Sequence, residues 1–189
     1  MSTDIFVVDT PFLIEKLEEE AAKEEPRKLR YVLRDLAVAE NAFAYEYTGY
    51  LSNIHSVKAY FDANLDMLES EKFYKLFAPN QKVYTKVKNE EPTYYATSSD
   101  VKVSQFASGS IVRGKVEHSV VSRNVDLAEG SSVGHSVLFP RVKVGKGATV
   151  EYAIVDKGVE IAEGVTVRGT ENNPVVIKKG SVVTEDIVR

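Results

Sequence analysis

Between Phe106 and Val183 the sequence repeats with a period of about seventeen residues, and each period breaks into shorter, near-hexapeptide steps. The blocks LAEGSSV (from Leu127), VGKGATV (from Val144) and IAEGVTV (from Ile161) stand one period apart. So do VEHSVV (from Val116), VGHSVL (from Val133) and VEYAIV (from Val150). A short fixed period of this kind marks a solenoid, because one unit buries its apolar face only when the next stacks on it. That property decides the architecture of half the chain.

Aliphatic residues recur at Val121, Leu127, Val133, Leu138, Val144, Val150, Val155, Ile161 and Val167. Two residues before each stands a small or β-branched partner: Ser119, Val125, Ser131, Ser136, Val142, Ala148, Ala153, Val159 and Val165. Alternation at period two turns both members of a pair to one face of a strand. Three strands per coil then predict three inward columns around a triangular prism: Val121/Leu138/Val155, Leu127/Val144/Ile161 and Val133/Val150/Val167. Gly130, Gly147 and Gly164 share one register near a corner, where a residue without Cβ turns the chain most tightly. Phe106 and Val112 continue two columns backwards, and Ile177 and Val183 continue them forwards. The Val121 column has no expected member in the first coil, and in the last Thr170–Pro174 (TENNP) takes its place as an excursion loop. Four to five coils make a rod roughly 20 Å tall. Such hexapeptide periodicity resembles the left-handed parallel β-helix, although spacing alone leaves the hand open.

With 189 residues the chain holds one large or two small domains. A net charge of −4, spread along the chain, gives no electrostatic case for nucleic acid or an anionic membrane. Cysteine is absent, which excludes disulfides and thiolate chemistry and fits a reducing cytoplasm, the expected location. No apolar run approaches the ~20 residues a spanning helix needs, and no signal peptide opens the chain.

The first hundred residues carry no repeat. Ile5–Val8 reads as a short strand, and Thr10 followed by Pro11 as a helix start, with Phe12, Leu13, Leu17 and Ala21 on the buried face. The run Glu15–Glu25 reads as the polar side of that helix. Leu29, Val32, Leu33, Leu36 and Ala37 give a second amphipathic helix. Phe43–Tyr47 alternates as a strand that Gly49 breaks, and Ser56 caps a third helix with Val57, Tyr60, Phe61, Asn64, Leu65 and Leu68 on one side. Two strands make a poor sheet on their own, so this part reads as the tail of something larger. The expected division is residues 1–70, a connector over 71–100 and a β-helix over 101–189.

The stretch Ala42–Leu68, AFAYEYTGYLSNIHSVKAYFDANLDML, resembles the end of the nucleotidyltransferase domain of ADP-glucose pyrophosphorylase (glucose-1-phosphate adenylyltransferase). That family carries an aromatic-rich strand, then G-Y-W-R-D-[VI]-G-T, then a helix ending A-N-[ML]-D-L. The APN at Ala78–Asn80, the later KVY and the β-helix are similar as well. The resemblance implies an α+β nucleotidyltransferase remnant followed by a single left-handed β-helix. It also implies a place in bacterial glycogen synthesis, a catalytic subunit as partner in a homo- or hetero-oligomer, and a sugar-phosphate or nucleotide effector. Where catalytic members have Trp-Arg-Asp, this chain has Leu51, Ser52 and Asn53; where they have Gly-Thr, it has His55 and Ser56. The family's aspartate at the place of Asn53 is associated with the divalent metal, and a neutral amide is a weaker Mg²⁺ ligand than a carboxylate. Met1–Asn41 offers no glycine-rich phosphate loop. The departures are similar to the non-catalytic, regulatory D-type subunits of the family. They imply a segment inactive alone, without catalytic, cofactor-binding or metal residues, its Mg²⁺ held only by the catalytic partner.

His118 and His135 share one register in successive coils, with Tyr152 next. One reading is a hexapeptide acyltransferase taking acetyl-coenzyme A, with a histidine as general base. The other, which the absence of an acceptor-binding loop nearby favours, is an outward ladder of flat side chains. His55 reads as a helix start. Arg113, Arg123, Arg141, Lys143, Lys146, Arg168, Lys178 and Lys179 offer either an anion site for an effector or, the favoured reading, solvated charge. A purely structural oligomerisation module is the remaining alternative.

Overall fold

The computed structural model describes residues 5–39, 42–78, 83–86 and 88–189. Two compact units divide between Thr48 and Gly49.

The first unit is helical. Asp9 caps α1 (Thr10–Ala21) by accepting from the Phe12 N–H at 3.1 Å, one residue ahead of the expected Thr10 cap. Helix α2 (Leu29–Ala39) buries Val32. The expected strands Ile5–Val8 and Phe43–Tyr47 do not form. A strand without a neighbour gains no ladder hydrogen bonds, and Ile5, Val7, Phe43 and Tyr45 stand largely exposed. Ala21, expected on the buried face, is exposed as well.

The acidic run is not uniformly a solvated face. Glu20 is 5% exposed. Its carboxylate accepts from the Arg27 backbone N–H (3.0 Å), Arg27 Nε (2.9 Å), a second guanidinium nitrogen (2.8 Å) and Lys23 Nζ (2.6 Å). Arg27 also reaches Asp35 of α2 at 2.7 Å. These bonds, those from Arg27 foremost, hold the Glu20 carboxyl far below the usual carboxylate range. A depressed folded-state value contributes stability above the unfolded value and loses it as pH falls through the folded one. The first unit should therefore melt earlier as pH drops below about 4, and Glu20→Gln should flatten that dependence. Helix content followed against pH for both chains checks this.

The second unit is the solenoid with its helical flank. Strands Tyr94–Tyr95, Ile111–Val112, Asp126–Leu127, Lys143–Val144, Glu160–Ile161 and Val182–Val183 stack in parallel as the first face. Asp100–Lys102, Lys115–Glu117, Ser132–Gly134, Thr149–Glu151, Thr166–Arg168 and Ile187–Val188 make the second face. Gln105–Phe106, Val120–Val121, Val137–Leu138, Ala153–Val155 and Val175–Ile177 make the third. All nine predicted column residues fall on their predicted faces, at 3% exposure or less.

The register departs from expectation at both ends. The solenoid begins at Tyr94 rather than near Val101, giving about six turns. Phe106 pairs with Val121, so that column does have a first-coil member. It escapes a search at period seventeen because Phe106 and Val112 each lie fifteen residues before their partners. The Tyr95 and Phe106 rings meet edge to face at 5.4 Å near this end. At the other end Ile177 pairs with Val155, Val183 with Ile161 and Ile187 with Val167. The TENNP excursion therefore does not replace a column member. It is inserted at a corner, closed by paired bonds between Thr170 and Asn173, and the column resumes after it.

Inside the prism the small partners form a polar ladder that spacing alone did not predict. The Ser119 and Ser136 hydroxyls each accept from the backbone N–H one coil on, of Ser136 and Ala153, both at 3.1 Å. They donate to the carbonyls of Glu117 and Gly134 at 2.8 and 2.7 Å. Ser136→Ala leaves the buried Ala153 N–H without its partner and should cost about 1–3 kcal/mol in denaturant titration.

Helix α3 (Val57–Leu65) starts where Ser56 accepts from the Ala59 N–H at 3.1 Å, as expected. A 3-10 turn follows over Asp66–Leu68, then α4 (Ser70–Leu76), within the stretch expected as polar connector. Phe61, 1% exposed, packs on Val137 and Ile154 of the third face. Tyr60 stacks on Phe139 at 6.5 Å. Gln105 Nε2 donates to the Met67 carbonyl and ties the 3-10 turn to the solenoid. In the APN and KVY stretches Pro79, Asn80 and Lys82 lie outside the described residues.

Candidate functional site

The helical flank and one corner of the solenoid enclose a cleft of about 540 Å³, within the range of small-ligand sites, about 300–1,000 Å³. The corner supplies His118, His135 and Tyr152. All three adopt left-handed backbone, with φ of 46°, 44° and 48°. That conformation is uncommon without glycine, and here it recurs once per coil because the chain turns at the same place. Coil-on-coil stacking brings the rings together: His118–His135 centroids lie 5.1 Å apart, and His135–Tyr152 4.8 Å apart at 15°. The predicted ladder is present.

Helix α3 and the 3-10 turn supply Lys58, Phe61, Asp62, Leu65, Asp66 and the following Glu69, and the excursion loop supplies Glu171. Lys58 pairs with Asp62 at 2.6 Å. Lys72 bridges Asp66 at 2.6 Å and Glu69 at 2.9 Å. The Tyr50 hydroxyl donates to Asp66 at 2.9 Å, and burial, with Asp66 beside it, pushes that phenol up. Among the described residues Lys58 is the one lysine or arginine lining the cleft, beside four carboxylates. A polyphosphate such as that of coenzyme A would meet mainly repulsion here. Among the described residues no group of three or more His, Asp or Glu is placed to hold a metal ion.

Asn53 lies exposed in the stretch before α3, outside this cleft. Its carbonyl accepts from the His55 N–H at 3.1 Å, and His55 Nδ1 lies 3.0 Å from the same oxygen. His55 thus folds back on Asn53, and the helix begins two residues later.

Of the eight basic residues, four carry ion pairs: Arg113–Asp126, Lys143–Glu160 and Arg168–Glu151 at 2.7 Å, and Arg123–Glu90 at 3.6 Å. Arg141, Lys146, Lys178 and Lys179 have no ion pair among the described residues and do not line the cleft.

The sequence reading missed the outer surface of the third face. Val137 and Ile154 point away from the prism axis yet are buried under α3. Their signal was the paired aliphatics Val137–Leu138 and Ile154–Val155, where the middle coils of the other two faces alternate with polar residues.

A three-sided parallel solenoid with hexapeptide rungs, one face roofed by short helices, defines a hexapeptide-repeat β-helix protein. Residues 86–188 match the family model described as GlmU-like, C-terminal hexapeptide. The chain is 40% identical over 141 residues to the glycogen biosynthesis protein GlgD of Bacillus subtilis (strain 168), covering 75% of this chain and 41% of that one. It is 53% identical over 127 residues to GlgD of Geobacillus stearothermophilus, covering 67% and 37%. It is 36% identical over 90 residues to the glucose-1-phosphate adenylyltransferase of Bacillus mycoides (strain KBAB4), covering 48% and 24%. The chain belongs to this hexapeptide family and groups with the ADP-glucose pyrophosphorylases. It spans about two-fifths of the length of the two GlgD relatives. Among the described residues no helix is long and apolar enough to cross a membrane.

Proposed function

We propose that the chain serves bacterial glycogen biosynthesis as a regulatory and assembly part of glucose-1-phosphate adenylyltransferase, the enzyme that makes ADP-glucose from ATP and glucose 1-phosphate. The observation that carries this reading is Asn53, an exposed neutral amide where the resemblance places a metal-associated aspartate. A phosphoryl-transfer site depends on metal positioning, which an amide supports poorly. The relatives named GlgD support it, being more similar to this chain than the adenylyltransferase is. In this reading the divalent cation belongs to the catalytic partner, and the solenoid offers that partner a rigid surface. Regulation then consists of contacts that differ between two states of the catalytic subunit.

The test mixes the chain with a catalytic glucose-1-phosphate adenylyltransferase subunit. Co-sedimentation and a shifted half-saturation for sugar-phosphate or nucleotide effectors are expected, with no ADP-glucose formed by the chain alone. A catalytic subunit that neither binds the chain nor changes its response would end the proposal, as would ADP-glucose formation without the partner.

A further inference from the structure

We propose that two copies of this chain associate side by side through the first face of the solenoid, their rods parallel and related by a two-fold axis running along them. The inference does not rest on the regulatory reading, because its partner is a second copy of the same chain.

The first observation is a separation of charge across that face. The corner where the chain enters it carries Arg123, Arg141, Lys157 and Lys179 in successive coils. They are aligned by the Arg141, Gly158 and Gly180 N–H groups, which donate to the carbonyls of Arg123, Pro140 and Lys157. Lys178 stands beside the last, and Asp156, which accepts from the Lys157 N–H, is the acid among them. The corner where the chain leaves carries Glu129, Lys146, Glu163 and Glu185. Here the Gly147 and Gly164 N–H groups donate to the carbonyls of Glu129 and Lys146, and the Ile161–Val183 register places Glu185 over Glu163. Of these two columns only Arg123 has an ion pair among the described residues, with Glu90 at 3.6 Å.

The second observation is the row between the corners. Its middle is neutralised within one copy, Arg113 pairing with Asp126 and Lys143 with Glu160, both at 2.7 Å. Its ends are apolar: Tyr94, beside Ile111, is 61% exposed, and Val182 is 67% exposed. The charge left over therefore sits at the corners.

A two-fold axis along the rods sets each coil opposite the same coil of the partner and exchanges the two corners. Arg123 then meets the partner's Glu129, Lys157 the partner's Glu163 and Lys179 the partner's Glu185. Tyr94 and Val182, near the axis, meet their own copies. One rung is mismatched, Arg141 against the partner's Lys146. A two-fold axis across the rods would set basic corner on basic corner, so charge selects the parallel arrangement. Six strands about 4.8 Å apart, crossed by about six residues from corner to corner, present roughly 500 Å² per copy. A total of about 1,000 Å² belongs to weak, reversible association.

Sedimentation equilibrium of the intact chain at about 0.1 mM tests this, in about 20 mM and about 0.5 M salt. A monomer–dimer equilibrium is expected at low salt and its loss at high salt. Lys157→Glu and Glu163→Lys should each weaken the dimer about tenfold, and both changes in one chain should restore it. Lys146→Glu converts the mismatched rung into an attractive one and should tighten the dimer by about threefold or more. All three positions are exposed, so the substitutions leave the core untouched. A chain that stays monomeric at low salt, a dimer indifferent to K157E and E163K, or a dimer weakened by K146E each overturns the proposal.

Discussion

Val144→Asp is expected to abolish the cooperative unfolding transition of the solenoid. Val144 is 1% exposed and lies between Leu127 and Ile161 in the middle of the first-face column. A carboxylate there would find no cation, only aliphatic neighbours within the prism. Burying an unpaired charge costs several kcal/mol even after the group protonates, and losses above about 4 kcal/mol rival the whole stability of a small domain. Because each coil is supported only by its neighbours, the damage should spread along the rod. Lys143→Ala, one residue away but on the outside, removes only the surface pair with Glu160 and should cost less than about 1 kcal/mol. Denaturant titrations of both variants by circular dichroism separate them. A V144D chain within 1 kcal/mol of the parent would refute the dry, stacked axis.

The second large effect separates two glycines that look alike in the sequence. A Cβ on Gly145 would lie 2.7 Å from the Ala162 carbonyl carbon and the Glu163 nitrogen and 2.8 Å from the Ile161 oxygen. Those atoms are backbone of the next coil, which cannot rotate aside. Gly145→Ala must push two coils apart, at a cost of about 3 kcal/mol or more for overpacking. Gly147, two residues on, has φ of 65° and nothing within 4 Å of a built Cβ. Gly147→Ala therefore carries only the left-handed backbone penalty, about 1–2 kcal/mol. Equal melting temperatures for the two, or a greater loss for G147A, would contradict the coil spacing around Gly145.

The columns were readable because each inward position demands an aliphatic residue and the demand returns every coil. Corners impose no such demand. The chain drops two residues before Val121 or adds five at Thr170–Pro174 without disturbing what points inward, so Phe106 and Ile177 were misassigned while Leu127, Val144 and Ile161 were not. The two amino-terminal strands failed for a different reason. Alternation in Phe43–Tyr47 reports the preference of a strand for a sheet, and no neighbouring strand accompanies it among the described residues. The histidine ladder was legible as a seventeen-residue spacing. The cleft was not, because its walls come from α3 and, more than fifty residues further along the sequence, from a corner column and an excursion loop. Glu20 shows the same limit: its burial depends on Arg27 folding back across a turn, which no local pattern announces.

The chain has no native cysteine, so an introduced pair reports its own geometry without interference. Lys143 and Glu160 are register partners on adjacent parallel strands of the first face, whereas Thr166 lies on the second. Neighbouring strands run about 4.8 Å apart, within disulfide range of about 4.4–6.8 Å. Under mild oxidation the Lys143→Cys/Glu160→Cys chain should form an intramolecular bridge nearly completely, and the Lys143→Cys/Thr166→Cys chain should stay reduced. A bridge in the second chain and free thiols in the first would mean that the repeat does not wind into a three-sided rod.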